Sequence, residues 1–157
     1  MSVQQSMKSA FAAYNKGDLN GALLNAEAAA RLAPKNPDVL QFLGVVASQS
    51  GDLAKGIFYL QQAVANGGDS VDNRINLAKS LADAGRWDEA LAACSLADGT
   101  RTAELERMHA DLLKAQGRPA EAVWTYERLV HENPGDFESW NNLGNARNEL
   151  GDLDGAM

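Results

Sequence analysis

Apolar and small residues recur along this chain at helical spacing, and polar turn residues interrupt them at regular intervals. Met7, Phe11 and Tyr14 stand at i, i+4 and i+7, one stripe of a helix. That stretch runs into Gly17-Asp18-Leu19, and the tripeptide returns as Gly51-Asp52-Leu53 and Gly151-Asp152-Leu153. Gly85-Arg86-Trp87 and Gly117-Arg118-Pro119 fill the gap. Successive glycines are 34, 34, 32 and 34 residues apart, so the chain is built from an internal repeat.

Each repeat reads as helix–turn–helix. Five residues after the turn glycine comes a small residue: Ala22, Gly56, Ala90, Ala122, Ala156. About seven residues before it stands another: Ala10, Gly44, Ala78, Ala110, Gly144. Seven beyond the first set come Ala29, Ala63, Ala97 and Leu129. Small residues in this register let two helices cross closely, and a larger side chain would push them apart. Pro34 and Pro134 stop second helices, and Gly67-Gly68 does so in the second unit. Pro37 and Pro119 open helices, where a missing N–H costs little. The units fall at about 3–36, 37–70, 71–102, 103–136 and 137–157. The last begins as a helix, turns at Gly151-Asp152, and stops one turn into a second helix. Such an ending is expected of a piece of a longer protein.

In this register the pattern resembles the tetratricopeptide repeat (TPR) family. Its W-x2-L-G motif stands as Trp140-x2-Leu143-Gly144, with weaker copies at Leu40-x2-Leu43-Gly44 and Arg74-x2-Leu77-Ala78. The resemblance covers the whole chain as one array. It implies an all-α, right-handed α-solenoid in which first helices line a concave surface and second helices a convex one. Two departures stand out. The third unit is two residues short at the loop Asp98 to Thr102. The first unit carries Ser6 and Ser9 where Trp and Leu usually sit, so a weak terminal helix is expected.

The resemblance also implies that a peptide or protein segment lies in the concave groove. The first helices would line it with Met7, Phe11 and Tyr14; Gln41, Phe42, Val45 and Gln49; Asn76, Lys79 and Asp83; Arg107, Asp111 and Lys114; and Asn141, Asn142, Asn145 and Asn148. The plainer readings stay open. The Met7 stripe is equally suited to packing the terminal helix, and Lys79, Arg107 and Lys114 to being solvated charges. In some family members a ladder of asparagines holds the partner's backbone. Asn76 and Asn142 match that position, but Lys8, Phe42 and Met108 do not. The family's carboxylate clamp uses Lys and Asn in one unit, Asn in the next, and Lys and Arg in the third, where this chain has Met7 and Phe11, Phe42, and Asp72 and Asn76; none supplies a cation, so a chaperone C-terminus is not the expected ligand. On the second helices, Leu24, Phe58, Ala92 and Trp124 share one repeat position; as an exposed apolar strip they would mark a contact site, but half-burial between neighbouring second helices is the favoured expectation.

Composition narrows the function further. Hydrophobic residues make up 45% and charged residues 22%, a globular balance. The net charge of -7 opposes nucleic-acid binding and docking on anionic membranes. The single cysteine, Cys94, permits no internal disulfide, which suits a reducing cytoplasm. It is expected on an inward face of the third unit's second helix. No signal-peptide h-region or membrane-spanning run is present. His109 and His131 are far apart, and no HExxH, CxxC, P-loop or GxGxxG occurs. No catalytic, cofactor-binding or metal-binding residues are therefore assigned. Asp88-Glu89 and Glu104-Glu106 fall at helix starts, where the helix dipole accounts for them. Two functions fit: a non-catalytic protein–protein interaction scaffold, or the N-terminal substrate-recruiting part of a larger bacterial enzyme of sulfotransferase, glycosyltransferase or hydroxylase type. A homodimer through uncovered terminal repeats is compatible with either.

Overall fold

A computed structural model describes residues 1–155, and the described residues form helices joined by turns, without strands. Contacts divide them into two compact units. The first, Met1–Arg86, holds α1 (Val3–Asn15), α2 (Leu19–Leu32), α3 (Pro37–Gln49), α4 (Leu53–Ala65) and α5 (Val71–Asp83). The second, from Trp87 onward, holds α6 (Trp87–Ala92), α7 (Ala103–Ala115), α8 (Pro119–Glu132) and α9 (Phe137–Gly155). Within each unit, consecutive helices pack on one another.

The repeated Gly-Asp has a physical explanation in both residues. Gly17, Gly51 and Gly117 take φ of +79°, +97° and +80°, left-handed values that only glycine adopts without strain. The next N–H then folds back on the finished helix: Asp18 to Ala13 O at 3.0 Å, Asp52 to Ala47 O at 3.0 Å, Arg118 to Leu113 O at 2.9 Å. This closes the orphan carbonyls of the last turn. The aspartate caps the helix that follows. Asp18 accepts from Gly21 N at 2.8 Å, and Asp52 from Lys55 N at 3.1 Å. Arg118 offers no such cap, and Pro119 opens α8 instead.

The crossings fall at the small residues. Ala10, Ala22, Ala78, Ala90, Ala110 and Ala122 are fully buried. The closest approach is α3 on α4. A Cβ on Gly44 would lie 2.7 Å from Leu60 Cγ, and one on Gly56 would lie 2.9 Å from Gly44 O. Leu43 and Leu60 are wholly buried beside this crossing, each contributing about 2 kcal/mol of apolar burial. In the first unit Ala10, Ala26 and Leu43 form a core, with Phe42 and Tyr59 packed against it. In the second unit the core joins Ala110, Leu113, Ala122, Tyr126, Val130, Leu143 and Ala146.

Three expectations differ from the structure. The break at Gly151-Asp152 is not there, since α9 continues to Gly155 and Gly151 has no left-handed φ. Gly151 keeps a helical φ, and α9 runs on through it. Gly144 is accordingly exposed with nothing near its Cβ position, whereas a close crossing was expected there. The crossing residue Ala156 lies outside the described residues. In the third repeat, the second helix ends at Ala92, well before Ala97. Leu96 N–H donates to Thr100 O at 2.9 Å, Gly99 takes a φ of +86°, and Asp98 accepts from Thr100 N at 2.8 Å. This local turn competes with continued helix. Cys94 thus sits just past α6 rather than on it, and is fully buried.

The terminal helix α1 is better capped than its composition suggests. Ser2 and Gln5 form a reciprocal capping box at 3.1 and 2.8 Å. Ser6, at the usual tryptophan position, is buried, and its Oγ finds no hydrogen-bond partner. Arg74 at the same position of the third repeat pairs with Asp69 at 2.6 Å.

Candidate binding surface

In the first unit, the exposed sides of α1, α3 and α5 form two adjoining clefts that share Val45. One, of about 410 Å³, is lined by Phe11, Tyr14, Asn15, Asp38, Gln41, Phe42 and Val45. Phe11 and Phe42 meet edge-on with ring centroids 4.6 Å apart, and Tyr14 meets Phe42 at 5.8 Å. The other, of about 260 Å³, is lined by Val45, Ser48, Gln49, Leu60, Asn76, Lys79, Ser80 and Asp83. Its floor is tied by Ser48 Oγ and Ser80 Oγ, 2.9 Å apart. The side chains of Gln41, Gln49, Asn76 and Lys79 make no hydrogen bond or ion pair with other described residues. Met7 is half-buried and lines neither cleft.

Asp38 belongs to this surface and escaped the sequence reading. The signal was available: Asp38, Phe42, Val45 and Gln49 follow i, i+4, i+7, i+11, one face of α3.

The second unit uses its candidates differently. Arg107 Nη1 donates to both oxygens of Asp136 at 3.0 and 2.9 Å, and its Nη2 lies 3.5 Å from Glu138. Asp136 in turn caps α9, accepting from Ser139 N at 3.0 Å and Ser139 Oγ at 2.6 Å. Burial pushes the Asp136 carboxyl up, but the Ser139 hydrogen bonds and the Arg107 charge outweigh it and hold it below its ordinary range. Asp111 accepts from Asn142 Nδ2 at 3.0 Å and from the Tyr126 hydroxyl. Burial raises the Asp111 carboxyl, against the opposing effect of the Tyr126 bond. Lys114 is half-buried, and Asn141 and Asn145 are exposed on α9. Arg107, Asp111 and Asn142 are thus joined to other helices of the second unit by hydrogen bonds.

The opposite face brings a correction. Leu24, Phe58 and Trp124 are 64%, 54% and 67% exposed, and Ala92 is exposed too, so none is half-buried. Leu24 stands two residues from both Ala22 and Ala26, about 200° round the helix from each, so it points away from the buried stripe of α2. In the first unit a cleft of about 450 Å³ lies beside Phe58, lined also by Tyr59, Gln62, Arg31, Pro34 and Leu40.

Burial, with the positive charges of Arg101 and Arg118, lowers the half-buried His109 below its ordinary range. Burial pushes the Cys94 thiol up to about 11, the opposite of an activated nucleophile. Among the described residues, no three His, Cys, Asp or Glu side chains are grouped to hold a metal ion, and no helix is long and apolar enough to cross a membrane.

Comparison with known proteins places the repeat. The family model for the tetratricopeptide repeat matches residues 107–157. That for the anaphase-promoting complex, cyclosome, subunit 3 matches residues 15–97, just over half the chain. Similar solved structures include MamA, 20% identical with a TM-score of 0.77, over 98% of this chain and 85% of that one. YrrB, described as a TPR protein with an unusual peptide-binding site, is 17% identical with a TM-score of 0.68, over 90% of this chain and 74% of that one. Pseudomonas aeruginosa pilF is 13% identical with a TM-score of 0.75, over 96% and 69%. At such identities the likeness is one of fold. No curated protein matches the chain.

Proposed function

Because the chain belongs to the tetratricopeptide repeat family, whose members generally act as non-catalytic protein–protein interaction scaffolds, we propose that it holds an extended peptide or protein segment against its first-helix face. The observation that carries this reading is the pair of adjoining clefts on α1, α3 and α5. They combine an apolar, aromatic end with amides at Gln41, Gln49 and Asn76 that are free of internal partners. A free side-chain amide both donates to and accepts from a peptide backbone. The rings supply apolar area that a side chain of the segment would cover.

The same reading treats residues 1–157 as one array with units at about 3–36, 37–70, 71–102, 103–136 and 137–157, in a reducing, cytoplasmic and bacterial setting. The partner is a protein or peptide rather than nucleic acid or an anionic membrane, because the net charge is -7.

A randomised peptide library screened against the whole chain tests the assignment. Selected peptides should bind Phe11→Ala and Asn76→Ala about fivefold or more weakly, while Trp124→Ala, exposed on a second helix, leaves affinity unchanged. Full affinity in both first-helix variants, with loss in Trp124→Ala or Phe58→Ala, would place the partner on the other face and reject the proposal.

A further inference from the structure

The aromatic cleft of the first unit carries a charge that its apolar walls do not explain. Phe11, Tyr14 and Phe42 present three rings, with Phe11 and Tyr14 set at 65° and 71° to Phe42. Phe11 is 49% exposed, so its ring is accessible. Asp38 lines the same cleft, and no basic side chain does. Its carboxylate accepts no hydrogen bond and makes no ion pair with the described residues. It stands in the first turn of α3, where the helix dipole favours a carboxylate, but it is not the cap of that helix. Asn36 is the cap, accepting from Asp38 N at 3.0 Å and Val39 N at 3.3 Å.

Resting on the first-helix reading above, we propose that this cleft receives an arginine side chain of the bound segment, its guanidinium stacked on the Phe11–Tyr14–Phe42 rings and hydrogen-bonded to Asp38. Ring faces attract a cation through their quadrupole, and a guanidinium offers both a flat stacking surface and a fork of donors for a carboxylate. An aliphatic or phenyl group in the same place would bury the Asp38 carboxylate without compensation. A carboxylate ligand would be repelled by it. A lysine ammonium satisfies the charge but lacks the planar stacking surface, so arginine is preferred over lysine.

The test uses the whole 157-residue chain and decapeptides with one fixed central residue, arginine, lysine, citrulline, phenylalanine or glutamate, in a randomised background. Affinity is read by fluorescence anisotropy at low and high salt, and ring signals of Phe11, Tyr14 and Phe42 are followed by NMR. The central arginine set should bind about five- to thirtyfold more tightly than citrulline, and the ring signals should move. Asp38→Asn should remove most of that preference and flatten its salt dependence. Because Phe42 also packs against the core, Tyr14→Leu serves as the second ring variant. Equal binding of arginine and citrulline with the ring signals still moving, or a preference for phenylalanine, overturns the arginine assignment and leaves the groove reading intact. Arginine-dependent binding that moves only signals of α7 to α9 overturns it as well. No binding by any set overturns the groove reading itself.

Discussion

Gly44 and Gly144 occupy the same repeat position, so replacing each by alanine should give effects of opposite sign. At Gly44 the new methyl would stand 2.7 Å from Leu60 Cγ and 3.0 Å from both Gly56 O and Leu60 N. Two of these three atoms are backbone, so relief requires α3 and α4 to move apart. Overpacking of this kind costs about 1–3 kcal/mol, against a helix-propensity gain of about 1 kcal/mol. The net expectation is a loss of up to about 2 kcal/mol in the first unit. At Gly144 nothing lies within 4 Å, and the residue is in the interior of α9. Only the propensity gain remains, so Gly144→Ala should stabilise by about 0.5–1 kcal/mol. Urea unfolding followed by circular dichroism measures both. Repeat proteins stabilise locally, so hydrogen exchange should assign each change to its own unit. A stabilised Gly44→Ala, or two variants shifted alike, would refute the reasoning that the α3–α4 crossing sets the demand for glycine.

Ser6→Ala should raise stability by about 1 kcal/mol in the same urea assay, because it removes a buried hydroxyl without a partner; a loss would mean that the hydroxyl is satisfied in solution. Arg107→Ala should cost about 2 kcal/mol by stranding Asp136, which is mostly buried, while peptide affinity at the aromatic cleft stays unchanged. His109 has a folded-state pKa below the ordinary 6.5, so the unfolded chain takes up this proton first. Stability should therefore fall as pH drops below about 6.5, and His109→Gln should remove that part of the slope; an unchanged slope rejects the assignment. With its thiol near 11, Cys94 should react with a disulfide reagent at pH 8 about a hundredfold more slowly in the folded chain than in urea; comparable rates would show that it is accessible.

Much of the fold was legible because the turn chemistry repeats. A left-handed glycine followed by a capping aspartate leaves a sequence trace, and so do small residues at a crossing. What failed to show was set by competition between local structures. The third repeat keeps Ala90 at its crossing, yet α6 stops at Ala92 because Asp98, Gly99 and Thr100 close their own turn. The Gly-Asp at 151–152 carries the same turn signal, yet α9 runs through it to Gly155. Exposure on the second helices was misjudged at Leu24, Phe58 and Trp124 for a related reason. Repeat position gives the direction of a side chain but not whether another helix reaches it.

Repeat position says equally little about availability for a ligand. The sequence names Asn76 and Asn142 as equivalents, and both lie on first helices. Asn142 donates to Asp111, which also receives the Tyr126 hydroxyl, so freeing it exposes a half-buried carboxylate. Asn76 has no partner among the described residues and faces a cleft. The same contrast separates Lys79, which makes no bond with the described residues, from its repeat equivalent Asp111, which accepts from Asn142 and Tyr126. A group already satisfied inside the protein must break that bond before it binds a partner, and a hydrogen bond to a charged group is worth about 1.5–3 kcal/mol. A partner segment therefore gains more from the first unit's groups than from their repeat equivalents in the second. Binding energy should concentrate on α1, α3 and α5 even though the sequence distributes candidates evenly along the chain.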